Sequence, residues 1–150
     1  MRQARRVYGD RPRAIALFGS VARRTARPDS DVDLLLIVDD LPRGRRARFA
    51  TFAPVEEALT GAIGELRQAG IQTELSAVLR TPEDLRTASP LMLNLTEDAV
   101  LLADADGLLA AALDDLRARL RRSGARRVWT GSTWYWDLKP DYRRGEIIRL

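Results

Sequence analysis

Residues 17–38 read LFGSVARRTARPDSDVDLLLIV. The apolar run Ala14-Ile15-Ala16-Leu17-Phe18 breaks at Gly19-Ser20, and a polar, arginine-rich passage follows. That passage ends in Arg27-Pro28-Asp29-Ser30, which is turn chemistry. Asp31 and Asp33 then open a second apolar run, Leu34-Leu35-Leu36-Ile37-Val38. Side chains on a strand alternate faces, so carboxylates two residues apart project from the same face. Adjacent like charges repel, and folding alone gives no reason to place them together. A divalent cation supplies one.

On either side of this block the chain alternates helical and extended patterns. Residues 2–9 predict a short helix, and 13–18 a strand buried on both faces, because its apolar run is nearly continuous. Ser20 is expected to cap a short helix reaching Arg24, before a second strand over 31–38. Residues 43–52 predict a basic helix. A longer helix should run from Pro54 to Gly70, carrying Val55, Leu59, Ile63 and Leu66 at helical spacing. Gly61 and Gly64 inside it suggest close packing on the sheet. Residues 71–79 predict a third strand, and Thr81 and Ser89 the starts of two short helices. A fourth strand is expected over 99–103, and then a long helix capped by Asp106, with Leu108, Leu109, Ala112, Leu113, Leu116 and Leu120 in one core stripe. Residues 125–150 form an aromatic tail holding Trp129, Trp134 and Trp136, expected to pack on the domain or on a partner.

The 150 residues predict a single domain, 1–150, and 45% hydrophobic content is that of a globular chain. No apolar run approaches the roughly 20 residues of a membrane span, and no signal peptide follows the N-terminal arginines, so a cytoplasmic protein is expected. There is no cysteine and no histidine. That excludes a thiol nucleophile, a zinc–thiolate site, and the commonest general base. Chemistry must come from carboxylates, hydroxyls, arginine or the single Lys139, and hard oxygen ligands suit magnesium or manganese. The net charge of +4 is carried almost wholly by arginine. It fits an anionic partner, and equally an arginine-favouring genome with a solvated basic surface.

Gly19-Ser20, ten residues, then Asp31-Val32-Asp33 resembles the signature of the nucleotidyltransferase superfamily that includes the DNA polymerase β palm. Within it, the chain resembles the minimal nucleotidyltransferases, among them the MntA-type antitoxins encoded beside HEPN-domain RNase toxins. Residues 136–141 and Gly145-Glu146 resemble the C-terminal end of such proteins. Arg24 departs from the pattern, since many relatives carry glycine there. The resemblance implies an α+β nucleotidyltransferase (polymerase β palm-like) fold, a small mixed β-sheet flanked by helices. It also implies roles for particular residues. Gly19, without a Cβ, lets a phosphate approach the backbone, and Ser20 offers a hydroxyl at a helix start. Asp31 and Asp33 would hold two magnesium ions, with manganese as an alternative. A third carboxylate is needed from a neighbouring strand, and Glu74 is the candidate.

The implied reaction moves an NMP, AMP from ATP, to an acceptor hydroxyl, with a tyrosine of a cognate HEPN toxin as the expected acceptor and protein partner. Two other readings stay open: an antitoxin that works by contact alone, and a transferase acting on an aminoglycoside-type small molecule or an RNA end. Nothing along the chain reads as an RNA-recognition module, so a nucleic-acid partner is not expected. Whether the protein forms a homo- or hetero-oligomer is left open.

Overall fold

The two apolar runs flanking the Gly-Ser turn pair with one another. In the computed structural model of the protein, which describes residues 1–131, 133–144 and 146 (Thr133 by its backbone alone), they form β1 (Pro12–Phe18) and β2 (Val32–Val38). These strands are antiparallel, with Leu17 opposite Leu34 and Phe18 opposite Asp33. β3 (Leu75–Arg80) adds parallel to β2, and β4 (Val100–Asp104) antiparallel to β1. The sheet order is therefore β3-β2-β1-β4. β1 and β2 are central and covered on both faces, which is why their sequences are continuously apolar and not alternating.

Each face of the sheet has its own core. Ala14, Ala16, Leu35 and Ile37 face α6 (Pro90–Asp98) and α7 (Leu108–Arg122). Ile15, Leu36, Val38 and Leu79 face α1 (Arg2–Tyr8) and α4 (Ala53–Glu57), through Ala4, Tyr8 and Val55, with Phe52 just before α4. Leu109, Leu113, Leu116 and Leu120 of α7 are all buried, as the stripe predicts. Each contributes roughly 1.5–3 kcal/mol. The exposed pairs along the same helix, Arg117–Asp114 and Arg119–Asp115, are of a kind that gives a few tenths of a kcal/mol. Burial, and not surface pairing, holds this helix in place. The arrangement is α+β, a small mixed sheet with helices on both faces, as expected. No described helix is long and apolar enough to cross a membrane.

Several local expectations are corrected. The helix expected from Pro54 to Gly70 is broken. After α3 (Arg45–Ala50) come α4 and then α5 (Thr60–Gln68), with Phe52 and Val55 turning into the core while α5 buries no residue. A Cβ at Gly61 or Gly64 would meet nothing within 4 Å, so these glycines are not close-packing positions. Ser20 does not cap a helix: α2 (Gly19–Ala22) is a single turn whose N-cap is Phe18. Asp106 does not cap α7. That helix is capped by Asp104, which accepts from the Leu109 and Ala110 amides at 3.2 and 2.8 Å, while Asp106 pairs with Arg13 at 2.8 Å.

The third strand begins at Leu75, four residues later than expected. Residues 71–74 bond instead to the loop before β2. The Gln72 amide donates to the Pro28 carbonyl (2.7 Å), the Thr73 hydroxyl to the Ser30 carbonyl (2.8 Å) and the Val32 amide to the Glu74 carbonyl (2.9 Å). The start of the aromatic tail forms a hairpin, β5 (Arg126–Thr130) with β6 (Thr133–Asp137). Trp136 and Leu138 pack against the α6–α7 core, and Arg127 reaches Glu97 of α6 at 2.9 Å. Ser132, Gly145 and residues 147–150, which include the end of the tail, lie outside the described residues.

Candidate active site

The site lies at the end of the sheet where β1 stops and β2 begins. Asp33 sits on β2 between Phe18 of β1 and Ser76 of β3, and it shares its face with Leu35 and Ile37. Gly19 follows β1 directly, with φ +74°. A Cβ built there would lie 2.1 Å from the Asp33 Oδ2 atom and 3.0 Å from its Cγ. The glycine is thus required twice, by its left-handed backbone and by the carboxylate that fills the space of its missing side chain. Ser20 is half-buried in the first turn of α2. The loop after it is tied back by the Thr25 amide to the Ser20 carbonyl (2.9 Å) and the Arg23 amide to the Gly19 carbonyl (3.1 Å).

Arg24 has φ +58°, a conformation in which glycine is favoured. This is the position where the resembled family carries glycine, so the departure leaves an exposed arginine in strained backbone. Arg23 turns toward α6 and pairs with Asp98 at 2.5 Å. The other Asp98 carboxylate oxygen is buried and, among the described residues, makes no hydrogen bond.

A cleft of about 790 Å³ opens over this face. Its floor includes Phe18, Asp33, Ser76 and Val78, and its far wall is α3, presenting Arg45, Arg48 and Phe49. α3 is held there by an ion pair from Arg48 to Asp84, beside β3, and by the Arg48 Nε donating to the Pro42 carbonyl at 3.0 Å. Burial alone would push the Asp84 carboxyl up. The Thr81 amide at 2.9 Å, the Arg48 guanidinium and the charge of Arg80 outweigh that and hold it below the usual carboxylate range.

The predicted carboxylates are divided. Asp33 lines the main cleft, whereas Asp31 and Glu74 line a separate depression of about 380 Å³ with Arg67. Glu74 and Asp31 are neighbours, each just before its strand, and the Glu74 side chain is 79% exposed, 3.9 Å from Arg67. Among the described residues, no three acids gather closely enough to hold one metal ion in common. At strand ends the ladder does not impose side-chain direction, and like charges separate. The expectation that Asp31 and Asp33 face one site together is thus corrected: Asp33 alone opens onto the main cleft, and an ion there would rest on that one carboxylate and on substrate phosphates, within the range magnesium accepts.

Sequence reasoning missed Thr73, Asp98 and the Arg48–Asp84 pair. No spacing signal marks residues 36 or 75 positions apart as partners. Thr73 carries no distinguishing signal, since it sits between Gln72 and Glu74 in a stretch that also holds Ser76; it is 2% exposed and clamps the loop that carries Asp31.

Comparison with known proteins bears on the family and the fold. Residues 2–101 match the family described as "Nucleotidyltransferase domain". The Methanocaldococcus jannaschii protein named "Putative protein adenylyltransferase MJ1305" is 28% identical over 124 residues, 81% of this chain and 79% of its own. Two crystal structures of mutants of the toxin-antitoxin MntA-HpeT share the fold, each with a TM-score of 0.50, at 18% and 20% identity, covering 81% of this chain and 85% of the matched chain. The family match runs through the entire block from Gly19 to Asp33 and on across β3, and the chain belongs to the nucleotidyltransferase domain family.

Proposed function

We propose that this nucleotidyltransferase transfers AMP from ATP to a tyrosine hydroxyl of a HEPN-domain toxin and so acts as its antitoxin. The observation that carries the transferase chemistry is the seating of Asp33 in the cleft against Gly19, where a side chain at residue 19 would displace it. The relative named as a protein adenylyltransferase supports AMP as the group moved and a protein as the acceptor. The sequence resemblance to MntA-type antitoxins supports the choice of partner.

In this reading the acceptor oxygen attacks the α-phosphorus in line, the bond to the leaving oxygen breaks, and pyrophosphate departs. Asp33 would hold magnesium together with the phosphates, neutralising their charge, and Asp31 would join it only by turning out of its own depression. Gly19 and Ser20 seat the phosphates, and Glu74, which opens onto the depression beside the cleft, would take the acceptor proton only by turning toward Asp33 when substrates bind. Positioning and charge compensation account for most of the acceleration in such transfers.

The test is label transfer from α-radiolabelled ATP, with magnesium, to the product of the neighbouring gene, which this reading expects to be a HEPN-domain protein. Label should appear on the toxin with wild type and not with Asp31→Ala. Absence of label, or equal labelling by both, would end the proposal. A second reading is favoured by the hairpin, where Trp129 is 63% and Tyr135 56% exposed: neutralisation by contact alone. In that case toxin neutralisation would survive Asp31→Ala combined with Asp33→Ala and fail when the chain is cut before Trp129.

A further inference from the structure

β3 is an edge strand: β2 pairs with it on one side, and no described strand pairs with it on the other. The Val32 amide donates to the Glu74 carbonyl, and the parallel register carries on from there. Even-numbered residues of β3 therefore turn their backbone groups toward β2, and Leu75, Ala77 and Leu79 turn theirs outward. Leu79 is buried, but Leu75 and Ala77 are partly exposed, and among the described residues their outward amides and carbonyls make no hydrogen bond. Such a row of unpaired backbone groups is a template for another strand. Every residue of β3 lines the main cleft, whichever face its side chain takes, so the cleft runs along this edge with α3 as its opposite wall.

Charge and reach say what the edge would pair with. The cleft holds one acid, Asp33, against Arg45, Arg48 and Arg80. Arg48 is committed to Asp84, whereas among the described residues Arg45 and Arg80 make no ion pair and no side-chain hydrogen bond. Ser76 lies beside Asp33 in the register, and Arg80 follows on the same face four residues later, roughly 13 Å along the strand. An added strand would stand two strand spacings, roughly 10 Å, from β2. A serine or threonine hydroxyl, two bonds of about 1.5 Å from its Cα, falls far short of Asp33 across that gap. A tyrosine hydroxyl, held out beyond a ring, reaches over β3. We propose that the protein acceptor docks as an extended strand on the free edge of β3, its tyrosine level with Ser76 and an acidic residue four positions away facing Arg45 and Arg80. This assignment rests on the nucleotidyl-transfer reading above and adds to it a reason for choosing tyrosine over shorter hydroxyls.

Label transfer from α-radiolabelled ATP, with magnesium, is measured on two acceptors. One is the product of the neighbouring gene. The other is the synthetic peptide Glu-Val-Thr-Val-Tyr-Val-Thr-Val-Glu, which carries an acid four positions to either side of its tyrosine. Wild type should label both, leave a serine version of the peptide unlabelled, and label a version with lysine for glutamate at least ten-fold more slowly. Arg80→Glu should invert the order of the glutamate and lysine peptides. Two further peptides are methylated on alternate backbone nitrogens, one on each edge of the strand, and only one of the two should lose labelling. Ala77→Pro loses no ladder bond, because that nitrogen faces away from β2. It should bind mant-ATP and melt like wild type yet label both acceptors at least ten-fold more slowly. The methylated pair probes the same edge without altering the protein, so the answer does not depend on the proline variant folding. Equal labelling of the methylated pair, equal loss in both, or a folded Ala77→Pro as active as wild type on the neighbouring gene's product overturns this assignment alone. So does labelling of that product but of no peptide, or an Ala77→Pro that changes oligomeric state without acceptor, which would mean that a second copy covers the edge. No label on either acceptor overturns the transferase reading beneath it.

Discussion

Replacing Gly19 with alanine should destabilise the fold and disable the site together, through one contact. The backbone at Gly19 has φ +74°, which costs a residue with a Cβ about 1–2 kcal/mol. The new methyl would also lie 2.1 Å from the Asp33 Oδ2 atom. Asp33 can yield only by leaving its preferred rotamer, at about 0.5–1.5 kcal/mol. Together these give about 1.5–3.5 kcal/mol, or roughly 3–14 °C in melting temperature for a chain of this length. Transfer activity should fall further, since displacing a reacting group by an ångström costs on the order of a hundred-fold. Urea unfolding of Gly19→Ala, Asp33→Ala and the double variant separates the two contributions. In the Asp33→Ala background the alanine should cost its backbone share and little more, because the Oδ2 and Cγ atoms are gone and only the residue 33 Cβ, at 3.3 Å, still presses on it. If Gly19→Ala melts with wild type, or destabilises both backgrounds equally, the account of Gly19 and Asp33 as mutually fitted is wrong.

Other measurements follow from the same coordinates. Arg24→Gly relieves a left-handed arginine (φ +58°) and should stabilise the protein by about 0.5–1 kcal/mol in urea unfolding, the gain reduced by the freer unfolded chain. Gly61→Ala and Gly64→Ala, in a helix with open space around both, should each add about 0.5–1 kcal/mol; a loss at either site would show a contact the structure lacks. The Asp84 carboxyl is held below its usual range, so the stability it supplies is complete above the ordinary aspartate pKa and fades as pH falls through the folded value. Wild type should therefore lose stability relative to Asp84→Asn on acidification below about pH 4, and the gap between their melting curves should stay constant at neutral pH.

The stretch around Gly19 and Asp33 was legible because its constraints are local. A strand must be apolar where it is buried twice, a tight turn needs glycine, and an acid such as Asp33 is conspicuous at the head of an apolar run. The α7 stripe was legible for the same reason, since period and burial coincide. What sequence could not reach depends on partners far apart in the chain. The sequence pointed to Asp106 as the cap of α7, but Arg13, brought alongside by the sheet, pairs with Asp106, and Asp104 accepts from the Leu109 and Ala110 amides instead. The helix expected from Pro54 to Gly70 reads as one apolar stripe, but the core accepts Phe52 and Val55 and leaves Leu66 partly in water, so the chain breaks between them.

The sequence by itself determined the strand–turn–strand block and its glycine, because steric freedom and strand burial act over a few residues. Only the tertiary structure decided that Asp33 fills the space beside Gly19, that Asp31 and Glu74 open onto a different depression, and that arginines of α3 and β3 share a cleft with Asp33. Those outcomes depend on which strands become neighbours and on how like charges distribute once they are, and neither is encoded within a single local window.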